Sequence, residues 1–220
     1  MVSSPPPARG RLVDRLADEA GRMLAAVARA ADRGLAVVGL APPPLTLPPE
    51  VRADLDEFFA GTIDTDSVMI RRGHLPGIPH RRAFALPGLV YLGGDPGIVV
   101  MTGGGSARPR ATPTLVHELV HIWQGRHLGH RYVLRALGEQ VRLGRRAYDW
   151  RAALGHTSGA VSDRVPVEAH AQLVSDAYAA VLGVDPAPGP SGRGGHARAV
   201  DEVLTSLRAG DAAILRGRTV

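Results

Sequence analysis

The chain contains no cysteine among its 220 residues. A disulfide framework, a thiolate zinc site, an iron–sulfur cluster and a cysteine nucleophile are therefore all excluded. Any metal ion has to be bound by histidine and carboxylate side chains. The 45% of hydrophobic residues can build an ordinary core, and the length is that of one domain with or without tails.

Lysine and asparagine are absent as well, so all 26 basic residues are arginine. This pattern indicates a codon bias toward GC-rich triplets, and the formal net charge of +5 is then weak evidence for an anionic partner. The densest basic cluster, residues 71–82, has no interleaved aromatic residues and no nucleic-acid motif. We expect a solvated basic loop there and no nucleic-acid partner.

Long hydrophobic runs are also missing. The longest apolar run near the N-terminus, residues 35–41, is interrupted by Gly39 and is far shorter than the roughly 20 residues that span a bilayer. Residues 1–11 lack the apolar segment of a signal peptide. We expect a cytoplasmic protein without a membrane span, or a protein exported by a non-classical route.

Apolar periodicity and helix-boundary residues predict the secondary structure. The predicted helices cover residues 11–33, 49–59, 131–143, 165–182 and 197–215, and a further helix is predicted to be capped by Thr112 or Thr114 and to end near Gly125. The predicted strands cover residues 68–70, 83–86, 89–92 and 98–101, and residues 103–109 are predicted to form a flexible loop. A small sheet followed by helices indicates an α+β fold. We divide the chain into residues 1–48 (a helix and a proline-rich connector), 49–185 (the main domain) and 186–220 (a Gly/Pro-rich loop and a helix).

Residues 114–124, Thr-Leu-Val-His-Glu-Leu-Val-His-Ile-Trp-Gln, carry the strongest functional signal. His117 and His121 are four residues apart, so on a helix both imidazoles project from one face and can bind one ion. Glu118 lies beside them and can take a proton from water on that ion, as in zinc hydrolases. By chance, a chain with nine His and seven Glu contains this HExxH pattern about 0.01 times.

A third protein ligand is needed, and His127 is one candidate. It stands six residues after His121, where the metzincin pattern HExxHxxGxxH places its last histidine. That pattern also requires glycine at position 124, where this chain has Gln124, and a methionine-containing turn downstream. All four methionines lie at or before position 101. The metzincin interpretation is therefore the weaker one.

Glu168 is the favoured candidate for the third ligand. It follows Pro166 in the first turn of a predicted helix, and Gln172 and Asp176 lie on nearly the same face. A glutamate ligand from a second helix, with polar residues behind it, is the gluzincin arrangement. His170 is a weaker substitute because it points to another face of that helix.

Three segments, residues 83–92, 117–124 and 168–178, together resemble a zincin-like metallopeptidase domain associated with extracellular contractile injection systems. The resemblance covers a little under half of the chain. It implies a mostly helical α+β domain with a small antiparallel sheet before the HExxH helix, and it supports Glu168 as the third ligand. Val120 replaces a threonine of the family, and Ala169 with His170 replaces its paired glutamines. Neither departure removes a ligand or the base.

The remaining roles follow from the chemistry of the site. With one Zn²⁺ bound by the two histidines and the third ligand, Glu118 is the expected general base. The charge that develops on the carbonyl oxygen of the substrate needs a further donor, for which Tyr178, Tyr148, His156 and nearby arginines are candidates. Asp176 is a candidate to hydrogen-bond a ligand histidine and set its tautomer.

The sequence thus predicts a zinc-dependent hydrolase, a gluzincin-type peptidase that acts on a peptide or protein substrate. The alternative is a non-catalytic zinc-containing module that docks onto a larger protein assembly such as an injection system. The two interpretations differ in whether the bound metal keeps a position open for water.

Overall fold

The computed structural model describes residues 8–76, 82–103, 106–155, 165–184 and 197–216. As expected, this part of the chain is α+β and mostly helical. Its α-helices are α1 (Ala8–Val37), α2 (Pro49–Phe59), α3 (Pro113–Leu128), α4 (Arg131–Leu143), α5 (Trp150–Gly155), α6 (Val167–Val181), α7 (Ala197–Arg208) and α8 (Ala213–Arg216). Its strands are β1 (Met69–Arg71), β2 (Phe84–Leu86), β3 (Leu89–Tyr91), β4 (Ile98–Gly103) and β5 (Ser106–Ala111). Within the described ranges, no helix is both long and apolar enough to cross a membrane.

The expected antiparallel sheet is in fact a mixed sheet and a separate hairpin. The first sheet has the order β1-β3-β2, with β1 parallel and β2 antiparallel to β3. The hairpin pairs β4 with β5, and Pro109 lies opposite Val100. Strand β5 overlaps residues 103–109, the segment that we expected to be a flexible loop. Its sequence, Ser-Ala-Arg-Pro-Arg-Ala, has low β propensity, and a proline is tolerated there because the strand has one neighbour only in this two-stranded sheet.

Helix α3 starts where the sequence indicates but ends later. The Thr112 side chain accepts a hydrogen bond from the Leu115 amide and caps the first turn. The helix then continues beyond Gly125, our expected end, as far as Leu128. A Cβ on Gly125 would lie 2.8 Å from the ring of Tyr132. This glycine therefore permits close packing between α3 and α4, and it does not terminate the helix.

The expected C-terminal helix over residues 197–215 is divided in two. Gly210 lies between α7 and α8 with a φ of 69°, a left-handed conformation that glycine adopts easily. The side chain of Asp211 then accepts a hydrogen bond from the Ala213 amide, which starts α8. The expected loop over residues 186–195 lies outside the described residues.

Helix α1 lies against α4 along a face of small residues. Gly21, Ala25 and Ala28 are buried at intervals of four and three positions. A Cβ on Gly21 would lie 2.2 Å from the carbonyl oxygen of His130, immediately before α4. Because a backbone atom cannot retreat as a flexible side chain can, this crossing requires glycine.

A buried ion pair ties α1 to the mixed sheet. Arg71 donates to both carboxylate oxygens of Asp32, at 2.7 and 2.8 Å, and the Tyr91 hydroxyl donates to the same carboxylate at 2.6 Å. Burial raises the pKa of Tyr91, and Asp32 raises it further. Arg71 is thus a buried structural residue, which corrects our expectation that it belongs to a solvated loop. Residues 77–81 of that segment lie outside the described part.

The central core is formed where α3 packs face to face with α6. One hydrophobic cluster includes Leu119 and Trp123 of α3, Leu173 of α6, Leu45 before α2, and Leu215 of α8. These residues come from all three segments into which we divided the chain. The site described next lies on the inner faces of α3 and α6.

Candidate metal centre

Helix α3 carries His117, Glu118 and His121, and α6 carries Glu168 in its first turn. All four residues are at most 8% exposed. Helix α4 sets the start of α6, because the Glu139 carboxylate accepts a hydrogen bond from the Val167 amide at 2.7 Å. The two histidines on one helix face and the glutamate on the facing helix are thereby brought together.

The three predicted ligands converge on one point. His117 Nε2 lies 3.2 Å from His121 Nε2, and Glu168 Oε2 lies 3.3 and 3.4 Å from these two nitrogens. Tetrahedral zinc with bonds of about 2.0–2.1 Å keeps its ligand atoms roughly 3.3 Å apart. Octahedral ligands at right angles would be only about 3.0 Å apart. The buried group could therefore hold a metal ion.

The electrostatics of the group also suit a cation. Burial alone would raise the pKa of Glu168, but the facing rings of His121 and His117 lower it well below its ordinary value. Glu168 is therefore an anion between two imidazoles. Burial would in turn lower the pKa of His121, but Glu168 and Glu118 raise it to about 9. In the metal-free protein, the additional proton on His121 thus provides positive charge at the position where a bound metal ion would provide it.

Gln124 orients His121 from behind. Its Oε1 atom lies 2.7 Å from His121 Nδ1 and accepts the ring N–H, while its Nε2 donates to the Val167 carbonyl at 2.9 Å. The same Nε2 lies 3.1 Å from Nδ1 of His170, which burial keeps neutral by lowering its pKa to about 3. Because Nδ1 of His121 donates to Gln124, Nε2 is the ring nitrogen that faces the ligand cluster.

Gln140 supports the glutamate ligand in the same way. Its Nε2 donates to Glu168 Oε1 at 2.7 Å, so the other carboxylate oxygen faces the histidines. Gln172, one turn after Glu168, lies in the cavity wall and donates to Asp176 at 2.7 Å. The sequence contains only three glutamines and no asparagine. All three carboxamide side chains of the chain therefore lie around this one site. We did not use this signal in the sequence analysis.

A cavity of about 1100 Å³ opens onto the ligand cluster. Its wall is largely apolar and includes Leu24 of α1, Phe84 of β2 and Leu137 of α4. Glu118 also faces this cavity, and its Oε2 atom is buried with no hydrogen-bond partner. Burial raises the pKa of Glu118 to about 8. An unpartnered buried carboxyl oxygen beside an open cavity can accept a hydrogen bond from a small polar molecule.

Of the candidate donors for the substrate oxygen, Tyr148 lines this cavity. Its ring centroid is 6.0 Å from that of His117. Burial raises the pKa of Tyr148 to about 12, so its hydroxyl stays protonated and can donate. Tyr178 instead donates to Asp54 and does not line the cavity. His156 lies outside the described residues.

The structure corrects the expectation for Asp176 and agrees with the weaker rank that the sequence gave to His127 and His170 as ligands. Asp176 accepts hydrogen bonds from Trp150 and Gln172, and the histidine-orienting role that we expected for it is filled by Gln124. His127 lies 4.3 Å from Trp123, centroid to centroid, and is not part of the ligand group. His170 is buried behind Gln124. Neither histidine competes with Glu168 for the ion.

Comparisons with protein-family models, with curated proteins and with solved structures found no match to this chain. The resemblance to the zincin-like injection-system domain therefore stays a prediction.

Proposed function

We propose that this protein is a zinc-dependent hydrolase that cleaves peptide bonds. The observation that carries the proposal is the set of three ligand atoms spaced 3.2 to 3.4 Å apart, with the unpartnered carboxylate of Glu118 beside them. Two imidazoles and one carboxylate are a ligand set used in catalytic zinc sites, which keep one position open. When bound, the ion would lower the pKa of water and polarise the scissile carbonyl.

The residues of this chain supply the remaining steps. Glu118 accepts a proton from the attacking water and later delivers it to the leaving amine. Tyr148 donates a hydrogen bond to the carbonyl oxygen of the substrate as negative charge develops there. Gln124 and Gln140 hold His121 and Glu168 in their ligating orientations. The apolar walls of the cavity exclude bulk water from the reacting groups.

The size of the cavity favours a peptide segment as the substrate. Its volume of about 1100 Å³ exceeds the upper end of the roughly 300–1,000 Å³ typical of pockets for small ligands. We further propose that the chain belongs to the zincin-like family that its sequence resembles. The resemblance and the geometry agree on His117, His121 and Glu168 as the three ligands.

Metal analysis and a matched pair of variants test the proposal. Wild-type protein should bind one Zn²⁺ and cleave members of an internally quenched peptide library. Glu118→Gln should keep the metal but lose activity by about 10²- to 10⁴-fold, while Glu57→Gln, an exposed change on α2, should behave like wild type. Wild-type protein that takes up no stoichiometric zinc would refute the proposal, and so would undiminished activity in Glu118→Gln. Bound zinc without hydrolysis of any library member would favour the docking module instead.

A further inference from the structure

Helix α1 has a second apolar face that its own fold leaves uncovered. Its packed face consists of Gly21, Ala25, Ala28 and Asp32, all buried. At 100° per residue, Met23 projects 200° away from Gly21, on nearly the opposite side of the helix. Met23 is 64% exposed. The two faces are therefore separate, and a second helix can contact α1 without disturbing its contact with α4.

The uncovered face follows a heptad pattern. Large or small apolar residues recur at alternating intervals of three and four, and we call this set the α1 seam. Its members are Val13, Leu16, Ala20, Met23, Val27, Ala30, Gly34 and Val37, and every one of them is exposed. Among them, Val13, Leu16, Met23 and Val27 are 62 to 66% exposed. The 25 residues from first to last make about three and a half heptads, the length over which such a pattern indicates a coiled coil.

We propose that the α1 seam pairs with the α1 seam of a second copy of this chain, in antiparallel orientation. Side-chain sizes favour this arrangement over a parallel one. In a parallel pair, Gly34 would face Gly34 and leave a hole at that layer. In an antiparallel pair centred near residue 25, Gly34 faces Leu16 of the second copy, and Met23 faces Val27. Large side chains are then matched with small or medium ones.

Charge supports the same register. In this antiparallel pair the positions next to the seam place Glu19 opposite Arg33 of the second copy, and the two-fold axis repeats the contact. A parallel pair would place Glu19 opposite an apolar leucine, Leu24. Glu19 now pairs with Arg22 at 3.0 Å, and that ion pair is exposed, with side chains 61 and 54% accessible. Exposed pairs of this kind contribute little and re-form easily with a new partner.

The mass of the full-length protein in solution tests the dimer. Light scattering coupled to gel filtration should give twice the 23.1 kDa of one chain. Val27→Glu, which puts a charge in the seam, should give the mass of a monomer. Val141→Glu is the matched control, since Val141 is 89% exposed on α4 and outside the seam. A monomeric wild type at high micromolar concentration would overturn the proposal, as would an unchanged dimer in Val27→Glu with its helical circular dichroism intact.

Charge reversal tests the register without touching the apolar residues. Glu19→Arg alone and Arg33→Glu alone each bring like charges together at both symmetric contacts and should weaken the dimer about tenfold. The double variant restores the attraction and should return the dissociation constant to that of wild type. Additive weakening in the double variant would contradict the proposed contacts.

Cysteine crosslinking distinguishes the two orientations, because the chain has no cysteine of its own. Ala20 faces Ala30 of the second copy in the proposed register, so the Ala20→Cys/Ala30→Cys variant should form disulfide-linked dimers under mild oxidation. Within one helix these positions are about 15 Å apart and cannot bond to each other. Neither single variant should crosslink. A single variant that crosslinks as efficiently as the double would indicate parallel pairing, and no crosslinking in the double variant would also overturn the proposal.

Discussion

Replacing Gln124 with leucine removes the hydrogen bonds that orient His121 while leaving all three ligands in place. Gln124 is fully buried, and its side chain is bonded to His121 at 2.7 Å and to the Val167 carbonyl at 2.9 Å. Leucine has a similar size but no polar atoms. Without the acceptor at Nδ1, neutral His121 no longer prefers the tautomer that leaves Nε2 free for a metal.

The expected effects on zinc affinity and on stability can be separated. Loss of such an outer hydrogen bond typically weakens metal binding about 10- to 100-fold, or roughly 1.4 to 2.7 kcal/mol. The buried His121 N–H also loses its partner, at a cost of about 1–3 kcal/mol, and the Val167 carbonyl loses one of its hydrogen bonds. Gln124→Glu keeps an acceptor toward His121 but turns a carboxylate oxygen toward the Val167 carbonyl. It should bind zinc about as tightly as wild type yet unfold more easily.

Two measurements check this reasoning. Competition with a chromophoric chelator gives the zinc affinity, and denaturant unfolding in the presence of EDTA gives the stability of the metal-free protein. Gln172→Leu is the matched control, because Gln172 donates to Asp176 and contacts no ligand histidine. Zinc affinity that is unchanged in Gln124→Leu, or lowered equally in Gln172→Leu, would refute the argument.

Three further predictions concern activity, packing and pH. Tyr148→Phe should leave zinc affinity unchanged and lower kcat on a cleaved library peptide by about 10²-fold; a change in KM alone would contradict its role as a donor. In α1, Gly21→Ala should lower the midpoint of thermal unfolding because its Cβ meets a backbone carbonyl at 2.2 Å. Gly34→Ala, whose Cβ meets nothing within 4 Å, should raise that midpoint through helix propensity, and equal effects would refute the packing argument. The hydrogen bond from Arg71 lowers the pKa of Asp32 below its ordinary value of 3.8, although burial acts in the opposite direction. The stability that this ion pair contributes is therefore present above pH 3.8 and is lost as the pH falls through the pKa of Asp32 in the folded protein. Acid titration followed by circular dichroism should show a shallower loss of helical signal with falling pH in Asp32→Asn than in wild type. Identical profiles of the two proteins would contradict this role of Asp32.

Burial also changes how the residues of the basic segment should be interpreted. Arg71 and Asp32 are 39 positions apart, and nothing in the local sequence of either residue indicates the partner. Arg82, at the other end of the basic segment (residues 71–82), lines the wall of the cavity. The average charge of the segment therefore says little about the function of each member, because their environments are set by distant elements.

The sequence by itself determined the elements that depend on local chemistry. Pro49 as a first helical residue located the start of α2, and the expected bounds of α2 and α4 agree with the structure. The four-residue spacing of His117 and His121 placed both rings on one helix face. It also indicated that Glu168 starts a second helix. These features depend on neighbours within one or two turns, which the sequence displays directly.

Tertiary structure alone decided which distant groups meet. It brought Glu168, the ligand candidate that the sequence favoured, to the histidines, and it gave the orienting role to Gln124 where Asp176 was expected. It placed Tyr178 away from the cavity and Tyr148 in the cavity wall. It also made a strand of residues 106–111, whose composition does not favour one, because pairing with β4 satisfies their backbone groups. The physical reason is common to all of these cases. Hydrogen bonds and packing between segments are set by the relative placement of helices and strands, and side-chain spacing along the chain carries no information about that placement.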